Sequence, residues 1–298
     1  MKNAFSLVTP VTARRRVTRS ATVARVTAAG SAPSPRSTAR ADDGVDLVWQ
    51  EQGAGSPVLL LQGQATPMAG WDRVAADLAR DFRVLRCEQR GTGGSAPGPG
   101  GTLADDRFTT RALAADVRAV LDAAGVDRAQ VVGHSMGGKI AQWLAVDAPG
   151  RVVSLVLLAT SAGAADGVPR DAEAHRLLLG GDADERRRLF FADPWADAHP
   201  DEVRAFFALD AARPTLRALY RASTTHDALA ALPRITAPTL VVHGTADRLA
   251  ALASAERIAA EVPGAELVAV PGAGHGLHLD SPEAAAAVRS FLVRHAAG

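Results

Sequence analysis

A chain of 298 residues, 47% hydrophobic and 22% charged, has the composition of an ordinary globular protein and is long enough to bury a sizeable core. Its formal net charge of +1 hides an asymmetry: residues 1–40 carry eight Lys or Arg and no acid, so residues 41–298 hold 25 bases against 32 acids, a net of −7. An acidic body argues against a nucleic-acid partner, no stretch approaches the length of a membrane helix, and a single cysteine, Cys87, excludes an internal disulfide.

In chain order, residues 1–40 read as a disordered basic tail of Ser, Thr, Ala, Pro and Arg with no sustained apolar period. The Arg14-Arg15-Arg16 run would suit twin-arginine export only before an apolar stretch, and Val17 to Ala29 is interrupted by Thr, Arg and Ser. A cytoplasmic location is therefore expected. From Asp46 onward, short apolar runs alternate with helical patterns. Strands are predicted at 46–50, 58–61, 83–88, 130–133, 152–159, 239–243 and 266–270, with a turn-rich, hairpin-like link from Glu51 to Pro57 between the first two. Most later runs are continuously apolar, as parallel strands buried on both faces should be. Cys87 falls in one of them and reads as a buried structural thiol. Helices are predicted at 71–80, 109–124, 136–147, 249–262 and 282–294. Such alternation makes an open, mostly parallel α/β sheet flanked by helices.

The rhythm breaks between Ser161 and Leu232, where short helices, including 200–211 and 215–225, replace strands. This segment holds six of the thirteen aromatics. Residues 161–232 are expected to form a helical cap or lid between two core segments, 41–160 and 233–298. Phe190, Phe191, Trp195, Phe206 and Phe207 are then candidates to line a pocket or to pack the insertion's own small core.

Val131-Val132-Gly133-His134-Ser135-Met136-Gly137-Gly138 runs a short apolar strand into a G-x-S-x-G turn with a helix behind it. A serine presented at the top of a sheet must sit on a sharp strand-to-helix turn, and the positions two before and two after it must be small. Gly133 and Gly137 meet that demand. A serine hydroxyl is a weak nucleophile and needs a base, itself oriented by an acid. Asp247 follows the apolar run Thr239–His243, although alone it could equally cap the following helix. His275 follows the run Val268-Ala269-Val270 in a glycine-rich loop, whereas His278 reads as merely solvated. Ser135, Asp247 and His275 each fall just past a strand's C-terminal end, the edge where open α/β sheets place their sites. The backbone N–H groups of Met136 and Gln64 are the candidate oxyanion-hole donors.

These motifs, together with Arg90-Gly91-Thr92-Gly93-Gly94-Ser95 and Ala237–Gly244, give a chain that resembles the α/β-hydrolase fold superfamily over about residues 44–296. It is similar to small esterase and lactonase-like members with a short helical cap, such as 3-oxoadipate enol-lactonase-like proteins, and the resemblance implies no cofactor. Family members usually have His-Gly where this chain has Gln62-Gly63. A serine nucleophile separates it from the haloalkane dehalogenase branch, which uses an aspartate. Gly91–Ala96 formally fits a dinucleotide fingerprint, but Pro97 and Pro99 leave no helix N-terminus for a pyrophosphate. No metal-ligand cluster stands out beyond His275 and His278, a pair read as incidental.

The expected function is a serine hydrolase that cleaves a carboxylic ester or lactone of a small, largely apolar substrate through an acyl-enzyme. The alternatives are a perhydrolase with apparent haloperoxidase activity, a C–C or amide hydrolase on the same triad, and a slow-turnover small-molecule receptor. Oligomeric state is not legible.

Overall fold

The computed structural model describes residues 32–296, and at its centre lies an eight-stranded sheet. The strands are β1 (Ser37–Arg40), β2 (Asp46–Gln52), β3 (Ser56–Leu61), β4 (Phe82–Cys87), β5 (Ala129–His134), β6 (Val152–Leu158), β7 (Thr239–Gly244) and β8 (Glu266–Val270). Their spatial order is β1-β2-β4-β3-β5-β6-β7-β8. β1 and β2 are antiparallel to their neighbours, and every pairing from β4 to β8 is parallel.

The helices are α1 (Asp72–Leu78), α2 (Thr110–Ala123), α3 (Met136–Asp147), α4 (Ala172–Gly180), α5 (Ala183–Phe190), α6 (Asp193–Ala198), α7 (Pro200–Phe207), α8 (Arg213–Thr224), α9 (Leu252–Glu261), α10 (Leu277–Asp280) and α11 (Pro282–Arg294). Two apolar layers explain the unbroken hydrophobic runs. In β3, Val58 and Leu60 pack with Trp71, Leu78, Val288 and Phe291 on the α1 and α11 face. Leu59 and Leu61 point the other way, toward Leu121 of α2, Ile140 of α3 and Ile258 of α9. A strand covered on both faces has no polar side to show, so alternation disappears. Cys87 is buried as expected, and burial, then Glu88 and Asp116, pushes its thiol up to about 12.

Two local readings are corrected. Ser37–Arg40, assigned to the tail, forms β1 against β2. Only Ala39 of its four residues is buried, so the segment carries almost no apolar signal. The expected disorder and the export motif of residues 1–31 lie outside the described residues. The 51–57 link is not a hairpin, because β4 lies between β2 and β3 and pairs with both. Gly53, at φ 79°, turns the chain there, and a Cβ on it would sit 2.6 Å from the Ala79 carbonyl oxygen.

α4 to α8 occupy the interval between β6 and β7 where strands were not expected. The Gly91–Ala96 loop meets this insertion. Gly93 N donates to Asp210 O (3.0 Å), and Thr92 makes an isolated β-bridge with Ala211. Among the described residues, no helix is long and apolar enough to cross a membrane.

Candidate active site

Three of the loops that follow parallel strands converge at one end of the sheet. β5 ends at His134, and Ser135 takes φ 53° and ψ −118° before α3 begins at Met136. The small residues around it are sterically required. A Cβ on Gly133 would lie 2.5 Å from the Gly137 carbonyl oxygen, and one on Gly138 would lie 2.8 Å from the Thr160 side chain. A Cβ on Gly137 would run into the Leu61 carbonyl. Ser135 N donates to Leu158 O (2.9 Å), and Thr160 Oγ1 donates to Ser135 O (2.7 Å), so β6 holds the turn from below.

His275 Nε2 lies 2.9 Å from Ser135 Oγ, and His275 Nδ1 lies 2.7 Å from Asp247 Oδ2. The loops after β7 and β8 are tied together by Ala246 N donating to Ala273 O (3.0 Å). Asp247 is not the N-cap of α9, which starts later, at Leu252. Its Oδ1 accepts from Leu249 N (2.8 Å) and Ala250 N (3.0 Å), which leaves Oδ2 for the histidine. His243 Nε2 also lies 3.4 Å from Oδ2 and donates to Ala250 O (2.7 Å). Burial alone would raise the Asp247 carboxyl, but the facing His275, with smaller help from His243 and Ala250 N–H, holds it below the usual value. The carboxylate is therefore charged and acts as an acceptor for the Nδ1 proton.

His275 sits among other histidines. His134 Nε2 donates to His275 O (2.8 Å), which fixes the loop carrying the ring. His278 is buried rather than solvated, because it lies on α10 and packs against Trp71 and His134 with ring centroids 4.6 and 4.2 Å apart. Burial, then His275, pushes His278 down to about 3, and His134 is depressed by burial and by both neighbours. Both are neutral at pH 7.

The Gln62–Ala65 loop passes over Ser135. A Cβ on Gly63 would approach Ser135 Cβ to 3.2 Å, and Ala65 adopts φ 57°. The Gln62 side chain, where relatives were expected to carry His, turns away from the cavity and donates from Nε2 to Cys87 O (2.7 Å). Gln89 Nε2 donates to Gln62 O (3.1 Å), and Thr66 Oγ1 donates to Gly63 O (3.0 Å). Gln62 therefore anchors the loop to the end of β4 by polar contacts.

Ser135, His275, Gly63 and Gln64 border a cavity of about 270 Å³. The model for the alpha/beta hydrolase fold family matches residues 56–282.

The chain belongs to the α/β-hydrolase fold family.

RutD of Variovorax paradoxus (strain S110), named as a carbamate hydrolase, is 34% identical over 250 residues, covering 80% of this chain and 91% of that protein. A solved hydrolase from Pseudomonas aeruginosa PA01 is 32% identical with a TM-score of 0.72, covering 87% of this chain and 98% of that one. The esterase RhEst1 from Rhodococcus sp. ECU1013 is 26% identical with a TM-score of 0.73, covering 88% and 100%.

In this α/β hydrolase the five aromatics of the α5–α7 segment do less in the pocket than expected. Of the five, only Phe190 lines the cavity beside Ser135, and its ring meets His275 edge-on at 5.2 Å. Phe207 borders an adjoining cavity of about 520 Å³ with Phe190 and Gln64. Phe191, Trp195 and Phe206 pack on one another and on the core instead. Phe206 also reaches His134 and His278. α5 and α7 thus spend their aromatic faces on fastening the insertion to the core, with Gly276 N donating to Phe190 O (2.8 Å).

The cavity wall is mixed, with Lys139, Thr160, Ser161, Asp166, Tyr220 and Ser223 beside Ala159, Val168 and Leu178. These were missed. Lys139 was within reach of sequence reasoning, because it stands four residues after Ser135 and so shares its face of α3. The residues between β6 and β7 carried no comparable signal, because their approach to Ser135 depends on how that segment folds back.

Proposed function

We propose that this α/β hydrolase cleaves a small carboxylic ester or lactone by acyl transfer through Ser135, His275 and Asp247. One observation carries the reading: an unbroken line of hydrogen bonds, 2.9 Å from Ser135 Oγ to His275 Nε2 and 2.7 Å from His275 Nδ1 to Asp247 Oδ2. His275 Nε2 takes the hydroxyl proton while Ser135 Oγ attacks the carbonyl carbon. Asp247 keeps the Nδ1 proton in place and stabilises the imidazolium that forms.

The N–H groups of Met136 and Gln64 face the developing oxyanion in this reading, each worth about 3–4 kcal/mol if strong. Met136 is the first residue of α3, at the positive end of the helix dipole. Collapse of the intermediate returns the proton from His275 to the leaving alkoxide and leaves Ser135 acylated. Water, deprotonated by the same histidine, then releases the acid.

The mixed wall and modest volume of the cavity suit a small substrate whose apolar body carries a polar substituent. Names among the relatives, esterase and carbamate hydrolase, fit attack on an acyl carbonyl and add carbamates to the substrates worth testing. Steady-state hydrolysis of short-chain esters is the test. Ser135→Ala should lower kcat by about a thousandfold or more. Retained ester hydrolysis in that variant would refute the mechanism. Peroxide-dependent bromination exceeding ester hydrolysis would replace water by peroxide as the acyl acceptor.

A further inference from the structure

Lys139 stands in the wall of the catalytic cavity with no carboxylate in contact with its ammonium. Its Nζ donates to Ser223 O (2.9 Å) and Ser223 Oγ (3.3 Å) on α8, and it is in no ion pair among the described residues. An ammonium has three donors, so these contacts leave at least one for an occupant of the cavity. Arg170, on the same cavity, donates to Thr224 O (3.1 Å) and likewise forms no ion pair among the described residues. The third cation there is satisfied: Arg248 pairs with Asp171 (2.8 Å) and Glu173 (2.9 Å).

The acids of the cavity are committed elsewhere. Asp166 accepts from Val168 N (2.9 Å) and Ser254 Oγ (2.9 Å), and Asp247 is held by His275. Behind Lys139, His226 is bonded to Thr110 Oγ1 (2.8 Å) and Gln142 Oε1 (3.2 Å) and is neutral, pushed down to about 2 by burial and then by Lys139. Asp166 acts on Lys139 only from beyond ion-pair distance, and a desolvated ammonium with no carboxylate in contact is costly unless an anion arrives to pair with it.

We propose that Lys139, supported by Arg170, is the subsite for an ionised acid group on the substrate, so that the enzyme acts on small esters or lactones carrying a second, free carboxylate. This rests on the acyl-transfer reading of the same cavity. Lys139 follows Ser135 by four residues, a rise of about 6 Å along α3. Both residues border the same cavity, so a short acyl chain ending in a carboxylate is the probe that tests the pair. A charge-assisted hydrogen bond in a desolvated wall discriminates strongly against a neutral group of the same shape. The state of the lysine adds a signature: burial, then Arg170, pushes its ammonium down to about 8, with Asp166 pulling the other way.

The test is calorimetric binding of monomethyl glutarate and its neutral counterpart methyl pentanoate to the full chain carrying Ser135→Ala, which holds esters without turning them over. The monoanion should bind at least about tenfold more tightly at pH 7. Adding Lys139→Met should remove the difference, and Lys139→Arg should keep most of it. With Lys139 intact, the advantage of the monoanion should fall as pH rises through about 8, because the ammonium loses its proton there. Methyl pentanoate controls for any titration of the triad.

Equal binding of the two esters would overturn the proposal. So would an equal loss of both on Lys139→Met, the mark of a lysine that only ties α3 to α8. If Lys139→Met does not fold, the pH series decides, and an advantage level from pH 7 to 9 overturns the proposal. Discrimination in binding without hydrolysis by the unmutated enzyme would sink the triad chemistry and leave the subsite standing.

Discussion

Ser135 occupies φ 53° and ψ −118°, a region that side chains with a Cβ enter at a cost of about 1–3 kcal/mol. The strain lifts its Oγ clear of the sheet edge and toward His275. Removing the hydroxyl should therefore not relieve the backbone, whereas removing Cβ should. Urea unfolding should show Ser135→Gly more stable than Ser135→Ala by about 1 kcal/mol, after the entropic cost of the glycine. Equal midpoints would mean that the turn is unstrained.

Asp247 is the other residue whose role is separable from folding. Asp247→Asn keeps the shape and the Asx turn to Leu249 and Ala250 but offers His275 Nδ1 an uncharged group in either amide orientation. By the triad reading, kcat should fall by about 10³–10⁴ with little change in KM. A loss below tenfold would show that Asp247 only shapes its loop.

At the scale of elements, the contact of α3 with the loop after β6 reverses an ordinary expectation. Gly to Ala inside a helix normally stabilises by up to about 1 kcal/mol. At Gly138 the new Cβ would meet the Thr160 side chain at 2.8 Å, and Thr160 is the residue that holds the Ser135 carbonyl. Gly138→Ala should therefore destabilise by about 1–3 kcal/mol and lower kcat as well. Thermal unfolding and ester hydrolysis together check this, and a stabilised, fully active variant would contradict it.

α3 and the parallel strands were legible because their signals are local: glycine positions in the turn, continuous apolar runs, and strand-then-loop spacing for Asp247 and His275. β1 was not, because an edge strand with one buried residue leaves no period to read. The roles of Phe191, Trp195 and Phe206 were hidden for a different reason. An amphipathic helix announces that one face will be buried but not whether core or substrate covers it. His278 looked solvated in sequence for the same lack of partners; only the fold brings Trp71 and His134 against it.

At the scale of the whole molecule, five histidines are buried among the described residues, and besides His275 of the site these are His134, His226, His243 and His278. These four are depressed below the usual value near 6.5, with burial the leading cause in each. In the unfolded chain they titrate normally, so below about pH 6.5 the unfolded state binds more protons and stability falls with pH. Each contributes up to about 1.4 kcal/mol per pH unit in that range. Denaturant unfolding should lose several kcal/mol between pH 6.5 and 5. Replacing His278 by Phe should flatten the slope, since an uncharged ring fills a similar space against Trp71. An unchanged slope would place the acid sensitivity elsewhere.

The central claim is that folding activates Ser135, and intact-mass spectrometry after exposure to a fluorophosphonate addresses it without knowledge of the substrate. The unmutated chain should gain one adduct, Ser135→Ala none, and Asp247→Asn should react far more slowly. A folded protein that stays unlabelled, or an adduct that persists in Ser135→Ala, would contradict the triad.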